Sequence, residues 1–445
     1  MKTGVRVGID FGTSNSGVGY YDGANVQVLP LDHKSPTPGI IKTILYITRE
    51  QETYIGQEAI DLYYRHNLNR PRRFERRWVG EIEVYGGDMY FIRDVYVEVD
   101  VLNPGRLLQQ IKTGLRLPGY EGTLVFDQYY DLQKIISLYL GQLKRRAEQH
   151  LQQPIRGVVL GRPVKFMDDP AQDQKSQAIL QQAAYDAGFE EVDFELEPVA
   201  AARYFELTLS KPQTALVFDF GGGTLDITIM KLGDPANRQV FAVGGIGIAG
   251  ADFDRLMIQN HLLEYFGKYK VQDAEIDRWI DAIADWQVIP EMATPKVREK
   301  IQQEMKHSPY INRLKALEAL IFNNLAFSFY NKVEAAKIAL SEQHAALIQM
   351  EQEDIHIWEL LTRLQFETDL KRYRQKIQDC LLDTLNRSGL SPLDVDIVIK
   401  TGGSSNIPYF HQMLVSIFNR AAIHTSDVFS SVTAGLAVRA YDSMA

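Results

Sequence analysis

The chain has 445 residues, 45% of them hydrophobic and 24% charged, with a formal net charge of −9. That length exceeds what one hydrophobic core usually serves, so two major domains are expected, and the acidic balance argues against a surface built for a nucleic-acid backbone. A single cysteine, Cys380, excludes an intrachain disulfide and in its helical surroundings reads as a buried, inert thiol.

The N-terminus runs straight into a strand and leaves no room for a signal peptide, and no apolar stretch approaches a membrane span, so a cytoplasmic protein is expected. Val5–Ile9 is that strand. Asp10-Phe11-Gly12-Thr13-Ser14 follows, then Asn15, Ser16 and a second strand-like run from Gly17 to Tyr21. Residues 25–29 and 41–47 continue as strands around a polar, proline-containing loop, and a helical pattern begins after Ile55. Arg70 to Trp78 holds five arginines with Phe74 and Trp78 interleaved. It reads either as a docking patch for an acidic or nucleic-acid partner or as a solvated, salt-bridged face.

Strand-like segments from Met89 to Val101 lead to Gly105–Gly114, which contains Lys112. A long periodic helix is expected over Tyr129–His150, a buried strand over Gly157–Gly161, a helix over Gln174–Ala187 stopped by Gly188, and a strand over Val192–Leu196. Glu197-Pro198 then opens a helix rich in alanine, where the missing proline N–H costs nothing.

Asp219-Phe-Gly-Gly-Gly-Thr-Leu-Asp226 is the most informative stretch. Three glycines, Gly221, Gly222 and Gly223, between two apolar runs describe a tight hairpin whose N–H groups can converge on a phosphate. Asp219 is placed to orient Mg2+ or its water, and Thr224 adds a hydroxyl. A plain glycine turn is the alternative. The pattern repeats that of Asp10–Ser14, and two such hairpins in two halves of one chain imply a nucleotide clamped in a cleft.

Further on, Val243–Gly250 is glycine-rich and leads to Asp252, read as a helix cap, and a helix through Tyr265. Residues 267–312 are polar and mixed in charge. One long helical pattern then carries Leu314 to Ser341, and its end places Glu334, Lys337 and Ser341 on one face. Leu360–Leu385 reads as helix and Asp396–Ile399 as a strand. Gly402 and Gly403, followed by Ser404, turn sharply before a helix after Pro408, and Val432–Tyr441 closes the chain as a small-residue helix.

These motifs, in this order over nearly the whole chain, resemble the nucleotide-binding domain of Hsp70-type chaperones, in the superfamily that includes actin and the sugar kinases. The resemblance implies an α/β fold of two actin-like lobes built from duplicated ribonuclease H-like domains. The first lobe would span residues 1–200, with the closing helix 429–445 packed near it. The second would span 201–428, with a helical subdomain at about 251–341. It further implies ATP or ADP with Mg2+ in the cleft and slow ATP hydrolysis coupled to lobe closure.

On the resemblance, Asp10, Gly12, Thr13, Ser14, Asn15 and Gly221–Gly223 hold the phosphates. Lys112 reaches the terminal phosphate, and Asp10, Glu197 and Asp219 organise the metal mainly through its waters. Glu334, Lys337, Ser341, Gly402, Gly403 and Ser404 line the adenosine pocket, with Ile338 where the family carries an arginine that stacks on the base. The family's peptide-binding domain is not expected here, so any contact with polypeptide falls to the lobes or to a partner or co-chaperone. A small-molecule kinase and an actin-like filament protein are the rival readings.

Overall fold

The computed structural model describes residues 4–67, 70, 71, 73–86, 89–126, 128–234, 238–286, 288–425 and 430–443. A six-stranded and a five-stranded sheet organise it; in the first, the short strand Ile41–Lys42 also pairs with Asn15–Tyr21, off the main order. The first contains β1 (Val5–Phe11), β2 (Asn15–Tyr21), β3 (Val26–Val28), β4 (Ile155–Arg162) and β5 (Glu191–Leu196), in the spatial order β5-β4-β1-β2-β3. The second contains β6 (Gln213–Phe220), β7 (Leu225–Leu232), β8 (Gln239–Ile246), β9 (Ile397–Thr401) and β10 (Ala422–Thr425), in the order β10-β9-β6-β7-β8. In each sheet the first two pairings are parallel and the last two antiparallel. The repeated hairpin motif is thus the local sign of a repeated topology.

The helices repeat as well. α1 (Leu132–Leu151) precedes β4, α2 (Pro170–Asp186) joins β4 to β5, and α3 (Glu197–Glu206) follows β5. In the second half, after α4 (Gly250–Met257) and α5 (Ala326–Glu342), α6 (Lys371–Ser388) precedes β9, α7 (Pro408–Ile417) joins β9 to β10, and α8 (Ser431–Asp442) follows β10. Side-chain caps set the starts of α1 and α2: Asp131 accepts from the Lys134 N–H and Asp169 from that of Gln172.

The two lobes exchange their last helices. α3 lies on β6 and β7 of the second sheet, whereas α8 lies on β1, β2 and β4 of the first, and the two helices pack on each other. Ala200, Ala201, Leu436 and Ala440 belong to the core between the sheets. The crossing is so close that a Cβ on Gly435 would stand 1.7 Å from the Ala200 carbonyl oxygen. Each lobe also has its own core. Phe11, Ile136 and Tyr139 anchor the first, and Phe218, Phe253 and Phe410 the second. Each such fully buried aromatic side chain stabilises the fold by roughly 1.5–3 kcal/mol.

Several elements differ from the sequence expectation. Gln128–Asp131 is a strand, so α1 starts at Leu132 rather than Tyr129. The long pattern through Ser341 is two helices, Ile311–Phe322 and α5, separated at Asn323–Leu325, where Asn324 has a φ of 58°. Leu360 lies in a strand: Ala345–Gln352 and Ile355–Thr362 form a hairpin, and helix resumes only at Arg363. Asp252 sits in the first turn of α4 and accepts the Ala249 N–H, rather than capping from outside. After α4 the backbone passes through a π-turn at Ile258–Leu262 and a 3-10 turn at Leu263–Phe266. The polar segment after it is helical and buries Ile276, Ile280 and Ile301 in the second-lobe core.

The arginine-rich stretch enters a long hairpin, Phe74–Gly86 paired with Met89–Asp100. Arg72 lies outside the described residues. Arg70 pairs with Asp100 at 2.7 Å, Arg73 and Arg77 both pair with Glu75, and Arg76 lies 4.3 Å over the Tyr96 ring. Those arginines meet acids and an aromatic ring of their own hairpin, as a salt-bridged face would.

Candidate functional site

The antiparallel register aligns the two hairpins. Asp10 and Asp219 each stand next to last in their strands, opposite Gly17 and Asp226 respectively. The loops that follow, Gly12–Ser14 and Gly221–Thr224, face one another across a cleft of about 670 Å3. They approach so closely that a Cβ on Gly222 would lie 2.7 Å from the Ser14 hydroxyl, and one on Gly223 would lie 2.3 Å from that of Thr13. A side chain at either glycine would have to displace a hydroxyl of the opposite hairpin.

The hairpin peptides are tied back by their carbonyls. Gly221 O accepts from Gly250 N at 3.3 Å and from Ser404 Oγ at 2.7 Å, Gly222 O accepts from Ala251 N at 2.9 Å, and Gly223 O accepts from the Arg116 guanidinium. In the first hairpin Thr43 does the same work, its hydroxyl donating to Gly12 O and its N–H to Ser14 O. In a trans peptide the N–H points away from the C=O. Among the described residues, the N–H groups of Thr13, Gly222, Gly223 and Thr224 have no hydrogen-bond acceptor. Thr13 and Gly223 are buried and Gly222 and Thr224 half-buried at the cavity wall, and free donors converging from two facing hairpins form an anion cradle.

Lys112 enters this cradle from a 3-10 helix, Ile111–Arg116, whose preceding residue Gln110 is left-handed at a φ of 49°. Its ammonium is buried and donates to Glu197 Oε1 at 2.5 Å. Glu197 comes from the start of α3, directly after β5. Asp219 and Asp226 are buried nearby, and Asp10 lines the same cavity half-buried. Burial, with Glu197 close by, pushes the Asp10 and Asp226 carboxyls up to about 7, and it raises Asp219 well above the usual carboxylate range. Lys112 acts against all three shifts without cancelling them. The site therefore holds more acid than its own cations neutralise.

That surplus bears on Mg2+. Among the described residues no three His, Cys, Asp or Glu side chains converge closely enough to hold a metal directly. Asp10, Glu197 and Asp219 line one cavity as carboxylates, the oxygen donors that a hard cation such as Mg2+ takes alongside its own waters.

At the other end of the cleft, Glu334, Lys337 and Ser341 of α5 line the cavity opposite the turn Gly402–Ser404. Lys337 donates to Gly250 O at 3.0 Å and to Asp254 Oδ2 at 2.7 Å, so it braces the segment that anchors Gly221. Burial acts upward on Glu334, but Lys42 and Lys337 outweigh it and hold the carboxyl below its usual range. Lys42 belongs to the first lobe and lies 3.6 Å from Glu334 across the cleft. Ile338 is 59% exposed at the cavity wall. Beyond it Phe327 of α5 packs among Tyr46, Tyr63 and Tyr64 of the first lobe, and Asn324 Nδ2 donates to Asn67 O at 2.8 Å.

Every residue assigned from the sequence to the nucleotide site lines this one cavity. Asp10, Gly12, Thr13, Ser14 and Asn15 come from the first hairpin, Asp219, Gly221, Gly222, Gly223 and Thr224 from the second. Lys112 and Glu197 lie between them, with Glu334, Lys337, Ser341, Gly402, Gly403 and Ser404 at the far end. Sequence reasoning missed Asp226, Arg116 and Lys42. Asp226 had a signal, since it must face the same side as Asp219 in an antiparallel pair. Arg116 and Lys42 had none, because only the folded chain brings them across the cleft.

Two lobes of repeated topology, exchanging helices around a cleft with paired phosphate-type hairpins, define the actin-like class of nucleotide-binding domains. A family model described as Hsp70 protein matches residues 118–286 and 296–441. The chain belongs to the Hsp70 protein family. Chaperone protein DnaK of Thermotoga neapolitana is 25% identical over 438 residues, and its namesake from Thermotoga petrophila is 25% identical over 439. Each alignment takes in 98% of this chain, which spans 59% of the length of these curated relatives. Among the described residues no helix is long and apolar enough to cross a membrane.

Proposed function

We propose that the cleft binds ATP with Mg2+ and hydrolyses it slowly, and that closure of the lobes around the nucleotide serves as a chaperone-related conformational switch. The observation that carries this reading is the pair of facing hairpins with unpartnered N–H groups, beside a buried lysine and surplus carboxylates. In it, lobe one is residues 1–200 and lobe two 201–428, with the final helix docked on lobe one.

The Gly221–Gly223 hairpin, with Thr13 and Ser14, holds the β- and γ-phosphates, its free backbone donors being the N–H groups of Gly222, Gly223 and Thr224, since the Gly221 N–H donates to Thr224 O at 3.1 Å. Asp10, Glu197 and Asp219 hold the waters of Mg2+, which when bound neutralises phosphate charge. Lys112 and Thr224 stabilise charge as the bond from the γ-phosphorus to the bridging oxygen breaks and a bond to the attacking water forms. The water's proton passes to the carboxylates facing the phosphates, and ADP and inorganic phosphate are the products. Glu334, Ser341, Gly402 and Gly403 take the nucleoside, with Ile338 offering apolar contact to the base.

The test is calorimetric titration with ATP in the presence and absence of Mg2+, followed by product analysis. Saturable binding that Mg2+ strengthens, with ADP and phosphate formed without an added acceptor, is expected. Turnover that needs an added alcohol or carboxylate would overturn it in favour of a small-molecule kinase.

A further inference from the structure

Of the three carbonyls that tie back the second hairpin, two are anchored from within the second lobe, by Gly250, Ser404 and Ala251. The third, Gly223 O, is held by Arg116 of the first lobe. Its guanidinium is wedged between two glycines: Cβ atoms on Gly223 and Gly247 would stand 2.8 and 2.7 Å from its nitrogens. Asp226 and Asp252 lie near enough to act on its charge. Gly223 C=O and Thr224 N–H belong to one peptide plane, so holding the oxygen aims the N–H the opposite way. Arg116 also ends the same short 3-10 helix that carries Lys112.

We propose that Arg116 is a cross-lobe positioning residue that, only when the lobes are closed, fixes the Gly223–Thr224 peptide and so completes the set of phosphate donors. It touches no reacting atom. A single rigid turn of the first lobe thereby delivers Lys112 to the phosphate and locks the last donor of the opposite hairpin. Lobe closure and assembly of the site become one event. This rests on reading the cleft as an ATP-hydrolysing site.

The experiment is single-turnover hydrolysis of ATP with Mg2+, alongside equilibrium ATP binding, for the wild type, Arg116→Ala and Arg116→Lys. Arg116→Ala should slow the bound-state step by about tenfold to a hundredfold, less than the roughly hundredfold to thousandfold of removing a donor outright, because the Thr224 N–H remains and only its aim is lost. ATP affinity should fall much less. Arg116→Lys should recover part of the rate, and millimolar guanidinium chloride should restore part of it to Arg116→Ala but add nothing to the wild type. Should Arg116→Ala fail to fold, Arg116→Lys, which keeps a cation beside Asp226 and Asp252, carries the test through its own intermediate rate.

An Arg116→Ala rate equal to that of the wild type overturns the proposal, as does Arg116→Lys at the full wild-type rate if that variant alone folds. A rate loss matched by an equal affinity loss, with no rescue by guanidinium, also overturns it and leaves Arg116 a structural brace. A wild type that neither binds nor hydrolyses ATP instead overturns the reading of the cleft, and this inference with it.

Discussion

Lys112 Nζ lies 2.5 Å from Glu197 Oε1, and both side chains are buried. Removing one partner of such a pair leaves a buried charge unmatched, which typically costs about 3–5 kcal/mol, whereas removing both is far cheaper. Lys112→Ala should therefore lower the urea midpoint more than the Lys112→Ala/Glu197→Ala double variant does. A double variant less stable than both singles would mean the two groups do not compensate one another.

Gly222→Val should abolish nucleotide binding in a folded protein. Its side chain would enter the space now held by Ser14 and Thr13, where even a Cβ stands 2.7 Å from Ser14 Oγ. Calorimetry of a folded G222V protein with unchanged ATP affinity would remove the phosphate role of the hairpin.

Asp219→Asn and Glu197→Gln keep shape but remove charges that hold the metal's waters, so turnover should fall by roughly tenfold to a thousandfold with a smaller change in affinity. Lys337→Ala should do the reverse. Its ammonium bridges Gly250 O and Asp254, and Gly250 N in turn holds Gly221 O, so binding should weaken while the rate at saturation changes little. Single-turnover rates and equilibrium affinities for the three variants separate these roles. A K337A protein that loses only the chemical step would reverse the allocation.

Gly435→Ala tests the helix exchange. Its Cβ would meet the Ala200 carbonyl at 1.7 Å, a backbone contact that cannot be relieved by a rotamer change. Overpacking of this kind typically costs about 1–3 kcal/mol, and a thermal midpoint equal to that of the wild type would show that α3 and α8 do not cross here.

The parts legible in the sequence are those whose cause is local. Glycine runs, a strand-ending aspartate and Glu197-Pro198 announce their own geometry, so both hairpins and the start of α3 were read correctly. The hairpin at Ala345–Thr362 was not. Its inner residues Ile348, Met350, Ile355 and Ile357 alternate as a half-buried strand should, but Leu347, Trp358 and Leu360 are apolar on the exposed face and blur the period of two. The break at Asn323–Leu325 escaped notice because no proline or glycine marks it, and the turn is made by a left-handed Asn324. Arg116 and Lys42 act only across the cleft, where spacing along the chain carries no information.

The most direct test of the account is single-turnover conversion of ATP by excess protein in the presence of Mg2+, comparing the wild type with Lys112→Ala. The wild type should convert bound ATP to ADP and inorganic phosphate without any added acceptor. Lys112→Ala should still bind ATP yet convert it at least about a hundredfold more slowly, having lost the buried cation beside the phosphates. A wild type that holds ATP unchanged, or a Lys112→Ala protein that converts it at the wild-type rate, would contradict the central claim.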